Sequence, residues 1–375
     1  MVGAACAYYA SAAGLSVAVV DRGHVAGGTT GAGEGNLLVS DKQPGPELEL
    51  ALLSTRLWRD LAAGLPGLLE YEPKGGLVVA SAPEGMRALR TLAAEQARHA
   101  VDVEEVPPER LHEAEAHLAD GLAGGMLYSQ DAQVQPALAA AHLLRAARRT
   151  GAELLPGTEV TGMVLGPDGT VRGLRTDRAG VLGCRAVVNA AGTWGGRIAE
   201  LAGVELPVLP RRGFILVTEP LPPLVRHKVY AADYVADVSS GSADLQSSAV
   251  VEGTSAGPVL VGASRERVGF DRGPAPQVLR RLAAQAVALF PVLAGVQVVR
   301  AYRGFRPYLP DHLPAIGPDP RAPGLFHACG HEGAGIGLAP ATGLLLAQLL
   351  SGKPTEMDLS AFRPDRFPPR TQEVS

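Results

Sequence analysis

Residues 2–21 read VGAACAYYASAAGLSVAVVD, and this stretch decides the fold of the amino-terminal region. The small apolar residues of Val2–Ala13 predict a helix, and Gly14 stands where a helix often takes a left-handed terminating residue. The β-branched run Leu15–Val20 then predicts a strand that ends at Asp21. A helix followed by a strand that ends in an acid fits the second half of a dinucleotide-binding βαβ unit, and an unrelated βα unit is the alternative.

The glycine pattern of such a unit is only partly present. In the dinucleotide-binding fingerprint, G-x-G-x-x-G follows the first strand, and an acid about 20 residues further on binds a ribose hydroxyl. Gly3 matches the third glycine, which lets helix and strand pack closely, and Asp21 matches the acid. The first strand and the first two glycines would lie before Met1. We therefore expect the native protein to carry roughly ten more residues, a β-branched strand followed by G-x-G.

Three further segments suit a ligand with phosphate groups or a flat ring. Gly27–Asn36 (GGTTGAGEGN) places many backbone N–H groups and the hydroxyls of Thr29 and Thr30 within a few residues. Ala190–Trp194 (AAGTW) ends a buried strand with small residues, which permits close approach of a ligand. Gly330–Gly337 (GHEGAGIG) runs into a helix, so its amides could stabilise negative charge. A flexible turn in the first segment and a tight strand-to-helix turn in the second remain the alternative interpretations.

Two arginines towards the carboxyl-terminal end are candidates for carboxylate binding. The segment Tyr302–Pro307 (YRGFRP) holds Arg303 and Arg306 beside an aromatic residue and a turn. Arginine is the side chain best shaped to hold a carboxylate through two parallel hydrogen bonds. Ordinary surface arginines are the alternative.

Composition and charge restrict the class of ligand. The chain has 375 residues, 46% of them hydrophobic, and a formal net charge of -4, which suits two globular domains that bind small molecules rather than nucleic acid or a membrane surface. Its 3 cysteines are far apart, so we expect neither a disulfide framework nor a metal site, and a reducing cytoplasmic location. The apolar segment Gly333–Leu350 is interrupted by glycines and Pro340, which favours a buried helix over a membrane span.

The order of the elements predicts an α/β plus α+β protein with a discontinuous nucleotide-binding domain. This Rossmann-like domain, apparently without its first strand, is expected to comprise residues 1–75, 130–205 and 300–360. A substrate-binding domain with a mostly antiparallel sheet is expected over 76–129 and 206–299, followed by a carboxyl-terminal tail at 361–375.

Taken in order, the motifs resemble those of the FAD-dependent D-amino-acid, glycine and sarcosine oxidases nearly end to end. They are VGAACAYY from Val2, VVDR from Val19, GTTGAGEGN from Gly28, VVNAAGTW from Val187, FRPYLPDHLPAIGP from Phe305 and GHEGAGIGLAPATG from Gly330. The chain is most similar to the catalytic β-type subunits of bacterial heteromeric sarcosine, opine and hydroxyproline oxidoreductases. This resemblance implies a partner subunit and allows an electron acceptor other than oxygen.

The resemblance also implies FAD as cofactor and oxidation of the C–N bond of a small amino acid or secondary amine by hydride transfer to the flavin. Arg306 would grip the substrate carboxylate, and His331 would be a second catalytic residue beside the flavin. The implied cofactor-binding residues are Gly3, Asp21, Arg22, Thr29, Thr30, Gly35, Asn36, Val160, Ala190, Gly192, Trp194, Gly330, Gly333, Gly335 and Ile336. Weaker candidates for substrate binding are Tyr230, Tyr234 and Arg303. Ordinary core or sheet-face tyrosines are the favoured alternative for Tyr230 and Tyr234. Phe305–Asp311 contains no cysteine, which excludes the covalent flavin attachment that some relatives make there.

Three other functions remain open at this stage. A nicotinamide-dependent dehydrogenase would share the role of Asp21 but would not need the glycine segments that begin at Gly27 and Gly330. A subunit of a heteromeric oxidoreductase that holds no flavin would keep the same scaffold. A flavoenzyme for another class of substrate would keep the cofactor site as well.

Overall fold

The computed structural model describes residues 1–232 and 245–367 of the chain. Its helices are α1 (Val2–Ala12), α2 (Pro46–Gly64), α3 (Pro83–Ala97), α4 (Leu111–Ala114), α5 (Pro136–Arg149), α6 (Gly195–Glu200), α7 (Pro276–Leu289) and α8 (Ala339–Leu350). Its strands are β1 (Ala18–Asp21), β2 (Asn36–Leu37), β3 (Gly76–Ala80), β4 (Val103–Val106), β5 (Gly124–Tyr128), β6 (Ala132–Gln133), β7 (Glu153–Pro156), β8 (Val160–Leu165), β9 (Val171–Thr176), β10 (Val181–Gly183), β11 (Val187–Asn189), β12 (Leu209–Pro220), β13 (Lys228–Ala231), β14 (Gln246–Gly253), β15 (Pro258–Arg265), β16 (Val298–Tyr308), β17 (Ala315–Pro318) and β18 (Leu325–Cys329).

The first of two compact units is assembled from separated parts of the chain. It comprises Met1–Gly31, Ala137–Pro210 and a carboxyl-terminal segment that begins at Arg306. Strand β1 runs parallel to β7, and β11 runs parallel to β18, which also pairs antiparallel with β17. Strands β8, β9 and β10 form an antiparallel meander. The unit is therefore of mixed α/β type, as the sequence predicted.

Helices α1 and α8 of this unit approach each other closely. A Cβ atom built on Gly343 would lie 2.6 Å from the carbonyl carbon of Ala5, so a glycine is needed where the two helices meet. Most residues of α1 are small, and Ala5 is fully buried. The close packing fixes the position of α1, and with it the direction in which its amino-terminal end points.

The second unit comprises Ala32–Pro136 and Arg211–Phe305 and contains the large sheet of the protein. Its strand order is β16-β12-β15-β14-β13-β3-β5-β4. Strands β13 and β3 run parallel, whereas β12–β15, β15–β14, β14–β13, β3–β5 and β5–β4 are antiparallel pairs. Helix α7 begins at Pro276 and buries Val278, Leu282 and Ala286, spaced one turn apart, in a core shared with the sheet.

The structure differs from the sequence-based expectations in a few places. The strand expected at Leu15–Val20 lies at Ala18–Asp21, and Tyr302–Pro307 continues the long strand β16 instead of turning. Residues 32–75, expected in the nucleotide-binding domain, pack within the second unit, where β2 pairs with β6. In the expected tail, Phe362 is fully buried. The ligand assigned to each domain stays a prediction. In the described part of the chain, every helix is too short or too polar to cross a bilayer.

Candidate active site

The amino-terminal end of α1 lies beside the first glycine segment. The amino group of Met1 donates a hydrogen bond to Oγ1 of Thr30 over 2.6 Å. The segment is folded back by a hydrogen bond from the Gly31 amide to the carbonyl of Ala26, and a Cβ on Gly31 would lie 2.4 Å from that oxygen. The hydroxyl of Thr30 is thereby held at the amino-terminal end of α1, where the helix dipole is positive, and this arrangement suits a phosphate group.

The second glycine segment reaches the same end of α1. A Cβ built on Gly335 would lie 3.3 Å from Cβ of His331 and 3.8 Å from Cγ2 of Val2. Gly335 therefore lies between these two side chains and close to both. The His331 ring is buried, with Nε2 3.0 Å from Oγ1 of Thr342. Because that hydroxyl donates its own hydrogen to the carbonyl of Leu338, we assign the His331 proton to Nε2, which donates to Thr342.

His331 is uncharged at neutral pH. Burial, assisted by the positive charge of the Met1 amino group, lowers the pKa of His331 to about 3. An imidazole in this state can orient groups by hydrogen bonding, but it cannot act as a cationic proton donor near neutral pH. If His331 takes part in catalysis, it would do so as a neutral imidazole that forms hydrogen bonds and carries no charge.

A third segment closes the site at the end of β11. A Cβ on Gly3 would lie 3.3 Å from Cβ of Ala190, which is the close helix-to-strand packing expected of the third glycine of the fingerprint. Gly192 has a φ of 56°, and a Cβ atom built on it would have no other atom within 4 Å. The space next to this glycine is therefore open. The hydroxyl of Thr193 is buried and has no hydrogen-bond partner among the described residues. This hydroxyl is therefore available to a ligand.

Asp21 and Arg22 follow β1 at the edge of this region. One carboxylate oxygen of Asp21 accepts a hydrogen bond from the Gly23 amide over 2.8 Å. The guanidinium of Arg22 lies 4.2 Å from the centre of the Trp194 ring, and the pair forms a cation–π contact. A Cβ on Gly28 would also approach that ring, at 3.7 Å. Arg22, Gly28 and Trp194 thus form one wall, although the sequence presented them as members of three different motifs.

The two candidate arginines are in different surroundings. Arg306 is half-buried and lies in the first unit, where a Cβ on Gly333 would be 3.5 Å from its Nε. Tyr308, two residues further along, forms a β-bridge with His331, which ties the end of β16 to the second glycine segment. Arg303 is exposed and belongs to the second unit. Arg306 is the better candidate for holding a carboxylate beside the glycine segment.

Several of the expected site residues lie in the second unit. Gly35 has a φ of 105°, and a Cβ on it would lie 1.9 Å from the carbonyl oxygen of Val134. The Asn36 side chain joins a buried ionic network. Tyr230 is fully buried, with its hydroxyl against Oγ of Ser40, as expected of a core tyrosine. Tyr234 lies outside the described residues. In the first unit, Val160 begins β8 opposite Thr176, at the open end of the meander.

A group of buried charges in the second unit was not predicted from the sequence. Glu34, Lys228 and Glu252 are at least nine-tenths buried, and the last two face each other in register on β13 and β14. The available signals were an acid placed between two glycines and charged residues inside β-branched runs. The proximity of the three residues could not be predicted, because it depends on how the strands of the sheet pair.

Comparisons with known proteins identify the family to which the chain belongs. The model of the family described as FAD dependent oxidoreductase (DAO) matches residues 1–349. The chain is 34% identical over 333 residues to hydrogen cyanide synthase subunit HcnC of Pseudomonas aeruginosa, which covers 87% of this chain and 76% of that protein. It is 30% identical over 377 residues to glycine oxidase of Geobacillus kaustophilus, which covers 96% of this chain and 93% of that protein.

Solved structures give the same result for the fold. The crystal structure of glycine oxidase from Geobacillus kaustophilus superposes with a TM-score of 0.87 at 29% identity and covers 98% of this chain and 96% of that one. L-proline dehydrogenase from P. horikoshii superposes with a TM-score of 0.88 at 22% identity, over 97% of this chain and 94% of that one.

Proposed function

The chain belongs to the DAO family of FAD-dependent oxidoreductases, and on that premise we propose that it oxidises the C–N bond of a small amino acid or secondary amine. The substrate class is that of sarcosine, glycine, D-amino acids, opines and hydroxyproline. Two of the relatives are named glycine oxidase and iminodiacetate oxidase, and the names of both point to amino-acid substrates.

One observation carries the proposal: separated segments of the first unit converge on the amino-terminal end of α1. Thr30, Ala190 and Gly335 come from different parts of the chain, and each lies against one of the first three residues. The buried hydroxyl of Thr193, which has no hydrogen-bond partner within residues 1–232 and 245–367, adds a polar group that could face a ligand. A cradle of glycines, amides and hydroxyls at a helix end fits the pyrophosphate and the ring of FAD.

The side chains would then divide the work as follows. FAD, when bound, supplies the hydride acceptor, so the residues around it need only position the substrate and tune charge. The half-buried guanidinium of Arg306 would hold the substrate carboxylate beside the segment that contains Gly333. His331, neutral and donating through Nε2 to Thr342, would keep that segment in place without adding charge.

The context of the relatives supports a partner as well. HcnC is named as a subunit, and another relative, from Nostoc, is a bifunctional ThiO/ThiG protein, 32% identical over 68% of this chain. We propose that this chain works with a partner subunit, as the β-type subunits that it resembles do. A cytoplasmic location stays a prediction from the cysteine content.

The test is to identify the cofactor that copurifies with the full-length chain and to screen amines anaerobically for those that bleach its visible spectrum. We expect FAD by mass and bleaching by at least one small amino acid or secondary amine. A protein that retains no flavin would favour the non-catalytic subunit. Bound flavin that is reduced only by other compounds would favour another substrate class, and a bound nicotinamide would favour the dehydrogenase.

A further inference from the structure

The turn Ala190–Trp194 of the first unit is held by the side chain of the residue before it. Nδ2 of Asn189 donates a hydrogen bond to the carbonyl of Gly195 over 2.8 Å, and Oδ1 accepts one from the Ala191 amide over 3.3 Å. These two backbone groups fix the orientation of the side-chain amide, because a reversed amide would set oxygen against a carbonyl and N–H against N–H. Asn189 therefore holds the turn at both ends.

A buried histidine accepts the second hydrogen of that amide. His327 lies opposite Asn189 in the parallel pair of β11 and β18, and Nδ1 of His327 is 3.1 Å from Nδ2 of Asn189. Both residues are almost fully buried, with exposed fractions of 0% and 2%. Since Nδ2 of Asn189 can only donate, Nδ1 of His327 must accept and carries no hydrogen. We therefore assign the hydrogen of the ring to Nε2.

A carboxylate on the other side of the ring matches this tautomer. Nε2 of His327 is 3.2 Å from Oδ2 of Asp319, whose side chain is fully buried. Arg321 donates to both oxygens of Asp319, over 2.9 Å from Nε and 2.7 Å from Nη2. Burial opposes ionisation of this carboxyl, but hydrogen bonds from Arg321 and His327 outweigh that effect and hold the pKa of Asp319 well below its usual range. An ionised carboxylate only accepts hydrogen bonds, so Nε2 of His327 donates to it.

Strand β18 supports the turn through a second side chain. Cys329 lies two residues beyond His327 on this strand and therefore on the same face. A Cβ built on Gly195 would lie 2.9 Å from Sγ of Cys329, so the absence of a side chain lets the turn pack against this sulfur. The next residue, Gly330, begins the second glycine segment. The same strand therefore fixes the turn and leads into that segment.

The network holds in place the part of the turn that has room for a ligand. The space next to Gly192 is open, and the hydroxyl of Thr193 is buried without a hydrogen-bond partner in the part of the chain that the structure describes. Asn189, in contrast, uses both hydrogens of its amide nitrogen and its oxygen within the protein. Its contacts therefore orient the turn and leave the binding of a ligand to other groups.

We propose that His327 and Asn189 position this turn for FAD, so that the Thr193 hydroxyl meets the cofactor. This inference rests on the proposed function, because it takes FAD to be the ligand of the turn. Asp319 sets the tautomer of His327, and the ring in turn orients the amide that holds both ends of the turn. The two residues act on the cofactor through the backbone and are positioning residues.

The experiment measures the dissociation constant of FAD from the apoprotein, by the quenching of flavin fluorescence, in variants with and without Thr193→Val. In an otherwise wild-type chain, Thr193→Val should weaken FAD binding roughly twofold to tenfold, the effect expected of one hydrogen bond. In Asn189→Ala it should change nothing further, because the hydroxyl no longer meets FAD.

A matched control separates this coupling from a loss of stability. Val171→Ala removes buried methyl groups from the core of the same unit, and in that background Thr193→Val should keep its full effect on the Kd of FAD. A lower stability reduces the folded fraction by the same factor with or without Thr193→Val, so it leaves the effect of Thr193→Val unchanged. An equal effect of Thr193→Val in the wild type and in Asn189→Ala would overturn the inference.

Two substitutions of the histidine test its part in the network. His327→Asn keeps an acceptor near the position of Nδ1, whereas His327→Gln keeps only the donor near the position of Nε2. The effect of Thr193→Val on the Kd of FAD should persist in His327→Asn and disappear in His327→Gln, although each variant loses one buried hydrogen bond. If Asn189→Ala does not fold, this pair decides, and equal or reversed results overturn the inference.

Nitrogen NMR of the wild-type protein labelled at histidine gives an independent readout of the tautomer. One imidazole should carry hydrogen on Nε2 and none on Nδ1, and its signal should be missing from His327→Asn. A His327 signal with hydrogen on Nδ1 would overturn the inference. A wild type that binds no FAD would contradict the proposed function as well, whereas FAD binding in which the Thr193 effect ignores both positioning residues contradicts this inference alone.

Discussion

Replacement of Arg306 by alanine should weaken amino-acid binding far more than the same change at Arg303. Arg306 is half-buried beside Gly333, where a carboxylate bound to its guanidinium would be screened poorly by water. Loss of one partner of such a charged pair costs about 2 to 5 kcal/mol, which is roughly thirtyfold to several thousandfold in affinity. Arg303 is exposed, and removal of an exposed charge typically changes binding by no more than about 1 kcal/mol, or roughly fivefold.

The assay is anaerobic flavin reduction at varied substrate concentration, combined with equilibrium binding of a simple carboxylate that competes with the substrate. Arg306→Ala should raise the apparent Kd for both ligands, and Arg306→Lys should recover only part of the loss because lysine cannot form two parallel hydrogen bonds. Arg303→Ala is the matched control on the same strand. Equal effects of the two alanine variants, or an unchanged Kd for the carboxylate in Arg306→Ala, would refute the assignment.

Three more outcomes follow from the geometry of the first unit. Asp21→Ala should weaken FAD binding by about tenfold or more, since hydrogen bonds to charged groups contribute roughly 1.5–3 kcal/mol, without slowing reduction of enzyme that holds FAD; slower reduction at unchanged FAD affinity would contradict this role. Gly343→Ala should lower the free energy of unfolding by about 1–3 kcal/mol in urea because its Cβ would meet the backbone of α1, whereas Gly64→Ala, with open space around its Cβ, should not. Because the pKa of His331 is lowered from 6.5 to about 3, the unfolded chain binds one more proton between these pH values, so the free energy of unfolding should rise with pH across that window. His331→Gln should flatten this slope by up to about 1.4 kcal/mol per pH unit, and identical slopes would argue against a buried neutral ring.

The parts of the fold that the sequence predicted well are those with local boundary signals. Helix α1, expected over Val2–Ala13, spans Val2–Ala12, and Gly14 follows it with a φ of 83°, as expected of a terminating glycine. Strand β16 was missed because Gly304 and Pro307 are typical turn residues in an isolated segment, whereas in the protein they lie in a long strand next to β12. Tertiary pairing overrode local preference there.

The residues of the candidate site also fall into two groups, those that a local sequence pattern predicts and those that only the fold brings together. Gly3, Gly31 and Gly335 belong to glycine motifs that the sequence shows directly. In the structure a Cβ on Gly31 would lie 2.4 Å from the carbonyl oxygen of Ala26, and a Cβ on Gly3 or on Gly335 would lie 3.3 Å from a neighbouring side chain. The cation–π contact of Arg22 with Trp194 could not be predicted, since the two residues come from different motifs and meet only through the fold. The pairing of Lys228 with Glu252 likewise depends on strand register, which follows from the whole sheet.

The discontinuity of the first unit also determines when the protein can become functional during its synthesis. The second unit is complete once Phe305 has been made, whereas α1 must wait for α8 and for the segment that contains Gly335. Contacts between residues that are far apart in the sequence form slowly, because closing the long loop between them lowers the entropy of the chain before the contacts can offset that loss. The contacts of α1 with α8 and with Gly335 can therefore form only after residues beyond Phe305 have been synthesised.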